Sequence, residues 1–298
     1  MKCSIFIPTK NAGNNFNNVL NQISIQKEKF ELIIVDSGST DNTLNIINNW
    51  KDKIPIKLYQ ISPKEFGHGK TRNLASKYAS GEFIIFLSQD AIPQNNLWIS
   101  NLIRNFKDKN IAASFSKQIP GENANEIERF FCKENYPNKK IVRPFNNEDS
   151  LENIFFSNVS SCLSKKILRE FPFNESIIMS EDQEWTRKII RKGYKTVYDP
   201  ESIVIHSHNY NLRQTFQRYF DSALSLKQIF GKFNNFTKKG SRYMRKEFSY
   251  ILKTKPLLAI YLIPYNLTKI IATTLGINHP KLSKNIKRKL SMHKNYWN

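Results

Sequence analysis

The sequence predicts an α/β protein, with a mostly parallel sheet flanked by helices over residues 1–211 and a helical, strongly basic region over 212–298. Three observations carry that reading. Short apolar runs alternate with amphipathic stretches from residue 2 to about 117, the rhythm of α/β units. The runs Ile5-Phe6-Ile7, Leu32-Ile33-Ile34-Val35 and Phe83-Ile84-Ile85-Phe86-Leu87 are apolar without a break, as strands covered on both faces are. The charge is regional: of a net +21, a surplus of 16 falls in 212–298, where 18 Lys and Arg face only Asp221 and Glu247.

Taken in order, strands are expected at 2–7, 31–36, 56–60, 83–87 and 111–117, and helices at 14–27, 41–50, 70–79 and 95–106. Residues 118–150 lose the rhythm; Gly121, Pro137, Pro144 and many Asn predict a long excursion with at most one short helix near 125–134. Order returns at 154–163, a helix follows at 181–192, and two short extended runs lie around 196–198 and 203–206. From 212 the chain reads as helices to its end.

With 298 residues, 40% of them hydrophobic, the chain can bury a large core, which excludes a disordered or fibrous protein. Cys3, Cys132 and Cys162 are odd in number, far apart and free of C-x-x-C spacing, so neither a disulfide framework nor a zinc site is expected. The apolar stretch near Met1 is too short for a signal peptide, and a reducing cytoplasm is the expected compartment. The basic region points to an anionic surface, either lipid headgroups or nucleic acid.

In such sheets ligands bind beyond the C-terminal ends of the strands. The residues to inspect are therefore Pro8-Thr9-Lys10-Asn11, Asp36-Ser37-Gly38-Ser39-Thr40-Asp41 and Ser88-Gln89-Asp90-Ala91. Helix capping accounts for Ser39 or Thr40 but not for Asp36, a candidate acceptor for a base ring N–H or a ribose hydroxyl. Asp90 is either a turn residue or a hard oxygen ligand for a cation bridging two phosphates. In Ser180-Glu181-Asp182-Gln183 a capping box accounts for Ser180 and Gln183. Glu181 and Asp182 remain, as favourable charges at a helix start or as a general base. His206-Ser207-His208 is a polar loop, or the source of an imidazole completing a metal site with Asp90. Gly67-His68-Gly69-Lys70-Thr71 fails as a phosphate loop because Lys64 stands where the motif needs glycine. A glycine turn into a helix start remains, flanked by Lys70 and Arg72, and suits an anion.

Taken together, these segments resemble the inverting glycosyltransferases of family 2, with the GT-A (Rossmann-like) fold, over residues 2–230. The residues that carry the resemblance are Ile7-Pro8-Thr9, Val35-Asp36-Ser37-Gly38-Ser39-Thr40-Asp41, Ser88-Gln89-Asp90 and Glu181-Asp182. The resemblance implies that Asp36 holds the pyrimidine, Asp90 a divalent metal (Mn2+ or Mg2+) with help from His206, and that Asp182 is the base. It also implies nucleotide-sugar contacts from Pro8, Thr9, Ser37, Ser39, Lys70, Arg72 and Gln89, and acceptor-side or supporting roles for Glu181, Trp185, His208 and the 118–150 excursion. More narrowly, Gly67–Asn73, Ser88–Ala91, His206–Tyr210 and Arg218-Tyr219-Phe220-Asp221 resemble bacterial rhamnosyltransferases acting on dTDP-L-rhamnose. Ser-Gln-Asp departs from the family's Asp-x-Asp and leaves one carboxylate for the metal. The Gln-x-x-Arg-Trp signature of processive synthases is absent, so single-sugar addition is expected.

Residues 256–277 are mostly apolar but broken by Pro264, Asn266 and Lys269, which favours a buried or interfacial helix pair over a membrane span. Basic flanks suit docking on anionic lipid. The expected partners are a nucleotide-sugar donor, a lipid-linked saccharide or glycan acceptor and the anionic inner leaflet, with the enzyme peripheral on its cytoplasmic side. The rival class is a nucleic-acid-binding protein. Arg242-Tyr243-Met244-Arg245-Lys246 partly matches its basic and aromatic pattern, but that reading leaves the carboxylates unexplained, and no nucleic acid is expected. A nucleotidyltransferase would want a Gly-rich basic loop after the first strand, which Pro8-Thr9-Lys10-Asn11 is not.

Overall fold

Each uninterrupted apolar run becomes a strand. The computed structural model describes residues 2–144, 150–231 and 236–297; residues 145–149 of the expected excursion, and 232–235 and 298 of the basic region, lie outside the described residues. The strands are β1 (Cys3–Thr9), β2 (Phe30–Asp36), β3 (Ile56–Gln60), β4 (Phe83–Leu87), β5 (Ile92–Pro93), β6 (Ile111–Ile119), β7 (Ile141–Arg143), β8 (Ser160–Ser164) and β9 (Lys195–Ile205). The helices are α1 (Phe16–Ser24), α2 (Thr43–Trp50), α3 (His68–Tyr78), α4 (Trp98–Ile103), α5 (Glu126–Asn135), α6 (Leu151–Ile154), α7 (Lys165–Glu170), α8 (Glu181–Arg191), α9 (Leu212–Phe230), α10 (Phe236–Thr254), α11 (Leu258–Ile277) and α12 (Lys284–Leu290).

The chain divides into two compact units. One comprises Met1–Ile119, Tyr136–Ser176 and Glu181–His206; the other Pro120–Asn135, Ile177–Ser180 and Ser207–Asn298. In the first unit the strands form one mixed sheet in the order β3-β2-β1-β4-β8-β6-β9-β5, with β7 beside β9. Pairing is parallel for β1 with β2 and β4, for β2 with β3, and for β6 with β9. β8 lies reversed between β4 and β6, so β4 and β6 point the same way, and β5 and β7 run antiparallel to β9. The ends Thr9, Asp36, Leu87, Ile119 and Ile205 therefore share one edge of the sheet, and the residues just before Ser160 reach that edge from the other direction.

Alternate residues of the central strands feed two separate cores. Ile5, Ile7, Leu32, Ile34 and Ile85 pack with Phe16, Val19, Ile46 and Trp98 on one face. Phe6, Ile33, Val35, Ile84 and Phe86 pack with Ala75, Leu168 and Trp185 on the other. Two extended runs expected around 196–198 and 203–206 are one strand, β9, whose pairing with β6 slips between Ser116 and Lys117. The slip accommodates Pro200-Glu201-Ser202, just after Asp199. Asp199 is buried there and takes Arg104 Nη2 at 3.0 Å and Asn105 Nδ2 at 2.8 Å.

The second unit is helical. α9 opens on a capping box, Asn211 with Gln214, and ends at Gly231 with φ 70°. α11 runs against α9 so closely that a Cβ on Gly276 would stand 2.4 Å from the Phe220 carbonyl oxygen. Ile251 of α10, Ile127 of α5, and Ala259 and Leu262 of α11 form a small core. Asp221 Oδ2 accepts from the Ser291 hydroxyl at 3.0 Å and from Met292 N at 2.9 Å, which ties the C-terminal segment to α9.

Candidate active site

The loops that follow β1 and β2 are laced together at the shared edge. Asp36 is fully buried, and its Oδ1 accepts from Gly38 N at 3.0 Å and Ser39 N at 2.9 Å. Its Oδ2 accepts from the Thr9 hydroxyl at 3.1 Å and from the Ser39 hydroxyl. The Ser37 hydroxyl donates to Thr9 O at 3.0 Å, and Pro8 pairs with Val35 at the end of β1, beyond the stretch of β1 that pairs with β4. Lys10 Nζ donates to the carbonyls of Ser37 and Gly38. Gln89, from the loop after β4, accepts from Lys10 N at 2.8 Å and donates to Lys10 O at 3.1 Å, so three strand-end loops form one assembly.

Beside it stand Asp90 and His206. His206 Nε2 lies 3.6 Å from Asp90 Oδ1, and His206 Nδ1 lies 2.8 Å from Gln118 Oε1. Gln118 spends its Nε2 on the Ser157 hydroxyl at 3.0 Å, so the oxygen of its amide faces the ring. That bond assigns the ring proton to Nδ1 and leaves Nε2 as the acceptor nitrogen on the Asp90 side, the tautomer that a metal-binding imidazole needs. A carboxylate with imidazole nitrogen is a donor set that divalent cations accept.

Ser157 leads to the third part. Ser88 N donates to Val159 O at 2.8 Å, which fixes the segment before β8 against the end of β4. Next to it, Asn158 N donates to Asp182 Oδ2 at 3.0 Å, and Asn158 Nδ2 to Glu181 Oε1 at 3.3 Å. Arg72 Nη1 reaches the same Glu181 oxygen at 2.9 Å, and both of these side chains are buried. Burial, then the Glu181 charge, push the Asp182 carboxyl well above the usual carboxylate range, to about 7, against the opposing pull of Asn158 N–H and Arg72. The consecutive residues Ser157, Asn158 and Val159 thus connect the three parts: Ser157 bonds Gln118, which holds His206, Asn158 bonds the acid pair, and Val159 O takes Ser88 N at the end of β4.

The model of the glycosyl transferase family 2 domain matches residues 4–171. The chain belongs to that family. Along its whole length it is 35% identical to the O-antigen chain rhamnosyltransferase RfbN of Salmonella typhimurium, covering 96% of that protein. It is 33% identical to the O-antigen chain rhamnosyltransferase WbaN of Salmonella anatum, over 99% of this chain and 95% of that one. Among solved structures, the mannosyltransferase PcManGT of Pyrobaculum calidifontis, in complex with GDP-Man and Mn2+, superposes with a TM-score of 0.63 at 16% identity, over 94% of this chain and 88% of that one. TarS 1–349 of S. aureus gives 0.53 at 19% identity, over 94% and 91%. The fold is GT-A, and the protein is a glycosyltransferase.

Several residues of this glycosyltransferase stand differently from expectation. Trp185, expected on the acceptor side or in a supporting place, is wholly buried in the second core and donates to Phe171 O at 2.7 Å, so it packs α8 from inside. Ser180 has φ 62°, left-handed rather than the extended backbone of a capping residue, and Gln183 N is taken instead by Asp182 Oδ1 at 2.8 Å. The glycine motif, expected as an anion site, is a packing device. A Cβ on Gly69 would lie 2.4 Å from Asn174 O, and Asn73 brackets Phe173 through its N–H and carbonyl. Lys70 is exposed at the same helix start, whereas Arg72 is committed to Glu181. His208 stacks on Tyr210 with ring centroids 4.9 Å apart. Gln118 and Asn158 were not foreseen. Asn158 carries only the signal of an amide shortly after the apolar Phe155-Phe156, and Gln118 follows a stretch that Ser114, Ser116 and Lys117 make polar.

Proposed function

We propose that this enzyme transfers a single L-rhamnosyl unit from dTDP-L-rhamnose, with inversion, to a hydroxyl of a lipid-linked or cell-surface glycan on the cytoplasmic side of the membrane. Full-length identity to two O-antigen chain rhamnosyltransferases supports the donor and the acceptor class. For the chemistry, the observation that carries the reading is Asp182. It is a carboxyl fixed at the first turn of α8, oriented by Asn158 and Gln183 N–H groups, with its proton affinity raised to about 7 by burial and Glu181. A carboxylate of that basicity takes a hydroxyl proton more readily than an ordinary one, a contribution of about 10²- to 10⁴-fold.

In this reading the acceptor hydroxyl gives its proton to Asp182 as its oxygen attacks the anomeric carbon from the face opposite the diphosphate, and one displacement inverts the configuration. Asp36 receives the pyrimidine ring N–H in place of the Ser39 hydroxyl, a donor that can turn away at little cost. Thr9, Ser37 and Pro8 shape that pocket, Gln89 and Lys10 hold its loops together, and exposed Lys70 meets the diphosphate. Asp90 and His206 would hold a divalent cation, Mn2+ suiting the mixed nitrogen and oxygen set better than Mg2+, and such an ion supplies charge neutralisation at the leaving diphosphate. Asp182→Asn tests the assignment: donor binding measured by calorimetry stays within about two-fold while turnover drops by about 10²-fold or more. Turnover near wild type would end the case for Asp182.

A further inference from the structure

The helix α11 is built inside out. It is 20 residues long and apolar enough to cross a membrane by length and composition alone, yet its one charged side chain, Lys269, is turned inward. Lys269 is 6% exposed, 3.5 Å from the buried Glu247 carboxylate, and its ammonium lies over the rings of Tyr265, Tyr219 and Tyr243 at 4.9, 5.4 and 5.5 Å. The outward positions carry instead Ile260 at 73% exposure, Ile263 at 69% and Leu267 at 54%, followed by Ile270 and Ile271. Their spacing of three and four residues makes one continuous stripe along the helix. Phe248 and Leu252 on α10 are exposed as well.

In water this arrangement is backwards. A helix facing solvent presents its lysine and buries its isoleucines, and contiguous exposed apolar surface marks a contact with something apolar. Exposed Lys253 and Lys255 stand at the start of the helix, and Lys281, Lys284 and Arg288 beyond its end, so positive charge frames the stripe without entering it. That pattern matches hydrocarbon bordered by anionic headgroups. A helix crossing the bilayer alone would carry Lys269 into lipid, but the face that holds Lys269, Ala272 and Gly276 is packed against protein.

We propose that α11 lies along the surface of an anionic bilayer, with Ile260, Ile263, Leu267 and Ile270 among the acyl chains and the flanking lysines at the headgroups. This deepens the reading of a lipid-linked acceptor, on which its purpose rests, and adds an apolar insertion that net charge alone does not imply. The test is flotation of the full chain with phosphatidylcholine vesicles, with and without phosphatidylglycerol. Wild type is expected to float with the anionic vesicles, and Ile263→Glu/Leu267→Glu to lose about ten-fold or more of that partitioning. Transfer to a water-soluble acceptor should stay unchanged in the variant. Ile263→Trp should have its added fluorescence quenched by bromine-labelled acyl chains. Equal flotation of the double variant, or an unquenched tryptophan, overturns the proposal. So does a wild-type dimer in sedimentation that the double variant abolishes, which would assign the stripe to a second copy. A wild type that floats but transfers no rhamnose would strike the proposed function and leave the docking surface standing.

Discussion

Asp182 takes its basicity from burial first and from a neighbour of like charge second. Glu181 raises its proton affinity and Arg72 lowers it, with burial the larger cause. Because the carboxyl must be ionised to accept a proton, activity should fall as pH drops through about 7. Glu181→Gln removes the negative neighbour, lowers the Asp182 affinity for its proton and moves that acidic limb to lower pH; a pH profile of kcat/KM that does not move, or moves upward, would contradict this. Burial remains, so the limb stays above the range of an exposed carboxylate. A second residue-scale expectation concerns Gln118, which fixes the His206 tautomer. Gln118→Leu should weaken Mn2+ binding by about 10- to 100-fold in a direct titration, and unchanged affinity would refute its orienting part. Asp36, Asp90 and Asp182 could be picked out as candidates in the sequence because the first ends a strand, the second lies in the turn after one and the third is in the first turn of a helix. Gln118 and Asn158 were not, because their role comes from β6 and β8 lying side by side, a pairing no local pattern encodes.

At the scale of elements, legibility followed burial. β1, β2 and β4 are covered on both faces and read as apolar runs. The bent strand β9 read as two pieces because its polar middle is satisfied by Arg104 and Asn105 from a distant turn. The short strand β7 fell inside a segment read as excursion, since three residues carry no period. The glycine motif at the start of α3 looked like anion chemistry, but Gly69 is required by the backbone of Asn174. Gly69→Ala places a Cβ against that carbonyl, and the displaced α3 should lose about 1–3 kcal/mol in urea unfolding. An unaltered midpoint would mean that α3 can shift freely. Arg72 sits on the same helix, so the substitution should also disturb the Glu181 contact and depress turnover.

Over the whole molecule, composition located the basic charge in the last 87 residues but could not say which way its helices face. Lys269 in the sequence reads as an interruption of an apolar stretch; in the fold it is the inward anchor that leaves the stretch apolar outside. The segment Pro120–Asn135 belongs to the helical unit although the chain returns to the sheet after it, a partition decided by packing such as Ile127 with Ile251. Family 2 membership follows from the matched 4–171 region, and the full-length relatives narrow the expected sugar. The most direct test is transfer itself. The purified enzyme is incubated with Mn2+, dTDP-L-rhamnose and a lipid-linked glycan acceptor, and the product is read by mass and by the anomeric signals of its NMR spectrum. One added rhamnose, of configuration opposite to the donor, is the predicted result. Retained configuration, a run of added sugars, or transfer only from another nucleotide sugar would contradict the account.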